Sequence, residues 1–177
     1  MELPLPLHLF IHLFLALALG YLLGRHFKKV WLGLIFGFLG GFLIDLDHVL
    51  EYFFVFGPHF NLAYFIEGRQ FLTSDRIRLI FHAWEYLPVL VLVALVFKRR
   101  KTFQAIVITI AVTASVHLLT DSFLNNYPLE YYAIFHRAEN NYSAAQLLSP
   151  VQYEKMVKFR GEFNITPHPL NNLPNNQ

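Results

Sequence analysis

Ionisable side chains stand at the ends of four long apolar segments, and that combination restricts the fold more than any other feature of the chain. The segments cover residues 5–24, 30–44 with an apolar continuation to 56, 77–97, and 103–119. Each is close to the roughly 20 residues that a helix needs to cross a bilayer. With 55% hydrophobic and only 15% charged residues, the 177-residue chain reads as a small polytopic membrane protein. The expected fold is all-α: a four-helix transmembrane bundle with interfacial helices and a polar C-terminal tail. Its expected divisions are a membrane domain at 1–125, an aromatic, amphipathic extramembrane segment at 126–163, and a disordered tail at 164–177. Ala16 and Ala18 form an A-x-A pattern near the start, but Glu2 in place of a basic n-region and two interrupting histidines favour a retained helix over a cleaved signal.

The ionisable residues come in pairs: His8/His12, Asp45/His48, His82/Glu85 and His117/Asp121. Spacings of three or four put both members of a pair on one helix face, a turn apart. Each pair alone has a plainer reading, as a solvated or interfacial helix end. Jointly they point to a bound cation, because an ionisable side chain at membrane depth costs about 2.5–3.5 kcal/mol on insertion scales and something must offset that. Two short connections are basic, Arg25, Lys28 and Lys29 in one and Lys98, Arg99, Arg100 and Lys101 in the other. The positive-inside rule places both in the cytoplasm. All four pairs then fall on the non-cytoplasmic side.

Between the second and third segments, residues 49–75 are rich in Phe and Tyr, which suits the headgroup region. Thr73 or Ser74 is the expected N-cap of the third helix, and Pro88 the expected kink beside His82 and Glu85. An amphipathic helix is expected over 150–163. The modest net charge of +2 and the placement of basic residues beside apolar segments give no indication of a nucleic-acid partner.

The absence of cysteine excludes a thiolate site, so a metal would be held by imidazole and carboxylate alone. The candidate ligands are His8, His12, Asp45, Asp47, His48, His82, Glu85, His117 and Asp121. Asp45, Asp47, Glu85 and Asp121 would balance two divalent cations, whereas a single ion would leave buried carboxylates uncompensated. Zn²⁺ is the first choice on its frequency in hydrolytic sites, with Mn²⁺ and Fe²⁺ also compatible.

His12 with Gly20, the run Asp45-Leu46-Asp47-His48, His82, and His117 to Asp121 followed by Tyr127-Pro128 resemble the membrane-bound metal-dependent hydrolase family of bacteria, which includes LexA-regulated inner-membrane members. The likeness covers residues 8–130. Ile44 stands where that family usually has proline, and Glu85 where it usually has a second histidine. The pairing style is also similar to the helical zinc-dependent phospholipase C and P1 nuclease group. These resemblances imply a bacterial inner-membrane enzyme that hydrolyses a phosphoester or related ester of a membrane lipid with metal-activated water. Asp47, turned off the Asp45/His48 face, or Glu85 would be the bridging ligand or general base. Arg76, Arg78 and Arg137 are the candidates for binding a substrate phosphate, their plainer reading being solvated surface arginines. The alternative is a non-catalytic metal-binding scaffold or a divalent-ion transporter. The wholly apolar cytoplasmic halves of the helices argue against a through-path.

Overall fold

The structure, a computed structural model, describes residues 4–166. Of the tail expected to be disordered, residues 167–177 lie outside the described residues. Among the described residues the fold is all-helical, with one isolated β-bridge between Arg76 and Ser143. Three stretches are long and apolar enough to cross a membrane: Leu5–His26, Val30–Phe56 and Lys101–Asn125. The chain divides into two compact units.

The first unit takes the chain up to Asp47 together with Leu79–His136. It contains helices α1 (Leu5–His26) and α2 (Val30–Gly41), a 3-10 turn at Leu43–Asp45, and the start of α3 (Leu46–Phe56). Here α1 packs along α2, and both pack on the long helix α7 (Lys101–Asn125). Glycine makes that proximity possible. A Cβ at Gly33 would stand 2.2 Å from the Gly20 carbonyl oxygen, and one at Gly40 would stand 2.9 Å from the Ile110 backbone. Small residues let helix backbones approach in this way where lipid offers no hydrophobic drive to associate. Gly33→Leu should therefore destabilise the detergent-purified protein by at least about 1–3 kcal/mol, the usual cost of overpacking. An unchanged melting temperature would contradict this packing.

The third apolar segment departs from expectation. Helix α6 spans only Tyr86–Val96, and residues 77–85 are not helical. Its 11 residues rise about 16 Å, half of a hydrocarbon core. Pro88 does not kink a long helix. It lies in the first turn, where its missing N–H would have had no helical partner anyway. Thr73 and Ser74 are not an N-cap of this helix. They close α5 (Arg69–Ser74), and Asp75 follows in the left-handed region at φ 53°. Leu79, at φ 32°, makes another turn that an L-residue rarely adopts just before the His82 segment.

The second unit takes His48–Arg78 together with the chain from Arg137 onward, so it does not follow the boundary expected at 125/126. It holds most of α3, α4 (Leu62–Ile66), α5, α9 (Ala144–Leu147) and α10 (Pro150–Glu162). Ser149 and Gln152 form a capping box that starts α10. Arg160 ties α10 to the Leu72 carbonyl at 2.7 Å and to the Asp75 carboxylate. Tyr52 is buried among Phe53, Phe56, Phe60 and Phe65.

Candidate metal centre

All of the donors described next belong to the first unit. His117 and Asp121 lie on α7 one turn apart, His8 and His12 on α1, Asp45 in the 3-10 turn that separates α2 from α3, and His82 in the non-helical stretch before α6. His12, His82, His117 and Asp121 are each between 1 and 4% exposed.

One group of donors comprises Asp45, His82, His117 and Asp121. Nε2 of His82 lies 3.1 Å from Nε2 of His117, 3.3 Å from Asp45 Oδ1 and 3.2 Å from Asp121 Oδ2. Nε2 of His117 lies 3.5 Å from Asp45 Oδ1 and 3.2 Å from Asp121 Oδ2. Four donors around an ion at 2.0–2.1 Å in a tetrahedron are separated by about 3.3–3.4 Å, so the spacing fits a single cation.

The far side of each ring fixes which nitrogen faces the cluster. His117 Nδ1 donates to the Gly41 carbonyl at 3.0 Å, and His82 Nδ1 donates to Asp47 Oδ2 at 2.9 Å. Both Nε2 atoms then face inward, toward each other, an arrangement that a shared proton or a metal ion would satisfy. Gly41 ends α2, so the carbonyl it offers is one that the helix leaves without an internal partner. Asp47 Oδ2 also accepts from the backbone N–H groups of Phe81 at 2.9 Å and His82 at 3.3 Å. Asp47 thus replaces helical hydrogen bonds that this stretch does not form, and orients His82 rather than joining its inward face.

A second group comprises His8, His12 and Asp121. The two Nε2 atoms are 2.9 Å apart and lie 3.1 and 2.9 Å from Asp121 Oδ1. Asp121 Oδ1 is buried and makes no hydrogen bond of acceptable geometry despite those neighbours. The two Nε2 atoms also meet each other in hydrogen-bonding geometry, so one proton or one cation can serve all three atoms. The two oxygens of one carboxylate therefore face two different sets of imidazoles.

His82 and Tyr132 lie outside the three spanning stretches. Burial alone would pull the His82 pKa down, but hydrogen bonds to Asp121, Asp45 and Asp47 outweigh it and hold the ring well above its ordinary value. The carboxylates demand a positive charge at this point, and either a proton or a metal ion supplies it. Tyr132 stacks on His82 at 6.1 Å between ring centroids. Burial, and then the charge of Asp121, push its hydroxyl up and keep it protonated. Nothing in the sequence singled out Tyr132 or the Gly41 carbonyl, because neither carries a ligand pattern.

Of the other expected site residues, Glu85 belongs to none of the candidate donor groups, and its Oε1 accepts from the Phe135 N–H at 3.0 Å, at the start of α8 (Ile134–Glu139). His48 opens the second unit, where its ring meets Phe71 edge-on. The three arginines belong to that unit too. Arg78 pairs with the buried Glu51 at 2.6 Å, Arg76 makes the bridge to Ser143, and Arg137 is completely buried.

Compared with known proteins, the chain matches no protein-family model, no curated protein and no solved structure. The His/Asp cluster could bind a metal ion. Asp47→Asn should weaken metal binding by about 10–100-fold, the usual effect of removing a carboxylate that orients a ligating histidine. Glu85→Gln should leave metal affinity unaltered. A metal titration in which the two variants behave alike would contradict these roles.

Proposed function

We propose that the protein is a membrane-embedded hydrolase with two divalent metal ions, acting on a phosphoester or related ester of a lipid. The observation that carries this reading is Asp121, whose Oδ2 completes the Asp45–His82–His117 set while its Oδ1 faces His8 and His12. The first set offers four protein donors, a full complement for a tetrahedral ion. The second offers three, which leaves a position for water or substrate, as in catalytic rather than structural sites. A shared carboxylate suits ions about 3.5–4 Å apart, the separation used in two-metal phosphoester hydrolysis.

The chain's residues account for the rest of the design. Asp47 and the Gly41 carbonyl hold the imidazoles of His82 and His117 with their donor nitrogens inward. Two divalent ions against the carboxylates of Asp45, Asp47 and Asp121 leave one positive charge over, which favours an anionic ester. Tyr132, kept neutral, places a protonated hydroxyl near the cluster. The ions would supply a water of lowered pKa and polarise the scissile group. In the overall reaction the water oxygen bonds to phosphorus, the bond from phosphorus to the alcohol oxygen breaks, and the departing alcohol takes up a proton. Zinc fits the imidazole and carboxylate donors, as do manganese and iron. The ligand order agrees with the likeness to membrane-bound metal-dependent hydrolases, and with it a bacterial inner membrane and a centre on the non-cytoplasmic side.

Purified full-length protein should bind two metal ions per chain. His12→Ala should retain one, and Asp121→Ala should lose the bound metal and all turnover, since it takes a donor from both sets. Hydrolysis of phospholipid by the native protein should cease on chelation and return on adding metal. A fully metallated protein that leaves a broad panel of lipid esters intact would favour the scaffold reading.

A further inference from the structure

The depth of the centre in the membrane carries an inference about how substrate arrives, and it rests on the hydrolase reading above. Three helices report that depth separately, each counted from the end that carries the basic connections. Fourteen residue steps separate His26 from His12 on α1, fifteen separate Val30 from Asp45, and sixteen separate Lys101 from His117 on α7. At 1.5 Å per residue in α-helix, and about 2.0 Å through the four steps from Gly41 to Asp45, these are about 21, 24 and 24 Å. By the same count His8 and Asp121 stand about 27 and 30 Å along, so the donors occupy the outer part of the helices. A hydrocarbon core of about 30 Å puts the donors between the far boundary and about 9 Å inside it, and helix tilt would only deepen them.

The donors that reach the surface do so among apolar side chains. His8 and Asp45 have 17% and 19% of their side chains exposed, whereas the other donors are enclosed. On α1 the neighbours of His8 that face outward are Leu5, Leu7 and Phe10, and beside Asp45 it is Leu46. Residues 4–15 of α1 and its cap contain no charged side chain other than the two histidines when protonated. Along residues 4–15 no cationic side chain other than the histidines would hold a water-soluble ester away from the metal ions. A lipid already lying in the leaflet is held, because its chains can stay against these residues while its ester is drawn to the donors.

We propose that the centre takes its substrate sideways from the leaflet: a chain-bearing membrane lipid, with its hydrocarbon retained against the exposed apolar side chains of α1 and the scissile bond brought below the headgroup level. Remote binding energy of the chains then contributes to turnover at the ester.

The test uses the full-length protein in vesicles of phosphatidylethanolamine and phosphatidylglycerol, loaded with Mn²⁺. Paramagnetic relaxation of ¹³C-labelled lipid should be greatest at glycerol and upper acyl carbons, and should vanish in Asp121→Ala. Relaxation greatest at headgroup carbons, with the acyl carbons unaffected, would overturn the proposal, as would failure to bind Mn²⁺. The same vesicles should hydrolyse long-chain phospholipid with a kcat/KM about 100-fold above that for bis(p-nitrophenyl) phosphate. Equal rates would leave the hydrolase reading standing and overturn lateral entry. Hydrolysis of neither compound by metal-loaded protein would overturn both.

Discussion

Asp121 is a carboxylate enclosed by four imidazoles in a part of the chain built to lie in hydrocarbon. A buried charge is tolerated only where it is compensated and its remaining lone pairs are used. Much of the first unit can be understood as meeting that condition. The histidines come from α1, α7 and the stretch before α6, and they reach Asp121 only because α1, α2 and α7 approach to distances that glycine alone permits. The glycines at the helix contacts are thus part of the centre, although none of their atoms except the Gly41 carbonyl takes part in holding a ligand.

Breaking regular helix is the second device. Two of the donors stand where a helix is interrupted, Asp45 in a 3-10 turn and His82 in irregular backbone. Buried backbone that forms no helix needs other partners for its polar groups. The N–H groups of Phe81 and His82 find them in Asp47, and the Trp84 N–H finds one in the Tyr132 carbonyl at 3.0 Å. The bonds that make the irregular stretch tolerable are also the ones that aim His82. Fold stability and ligand orientation are served by the same atoms here, so Asp47 has two reasons to be a carboxylate.

The sequence carried the donor set well where the helix remains regular. His8/His12 and His117/Asp121 are i,i+4 pairs on unbroken helices, and their helical spacing led directly to their grouping. It misled where the helix breaks. His82 and Glu85 looked like one face of a third spanning helix, yet the chain is not helical there and the two side chains have different partners, His82 in the cluster and Glu85 at the Phe135 N–H. The period of a helix cannot be used to group residues outside one. Asp45 and Asp47 also looked like one crowded ligand run, but the 3-10 turn that ends at Asp45 lets them meet His82 at different nitrogens, Asp45 near Nε2 and Asp47 at Nδ1. The roles of the Gly41 carbonyl and Tyr132 depend on contacts across many residues, which local patterning does not encode.

X-ray absorption at the metal edge of the purified, metallated protein is the most direct check on the shared carboxylate. A centre bridged by Asp121 should show nitrogen and oxygen neighbours at about 2.0–2.2 Å, no sulfur, and a metal scatterer at about 3.5–4 Å. Asp121→Ala should abolish the metal–metal feature. A spectrum from saturated native protein with one light-atom shell and no metal neighbour would contradict the bridge, and with it the two-metal centre.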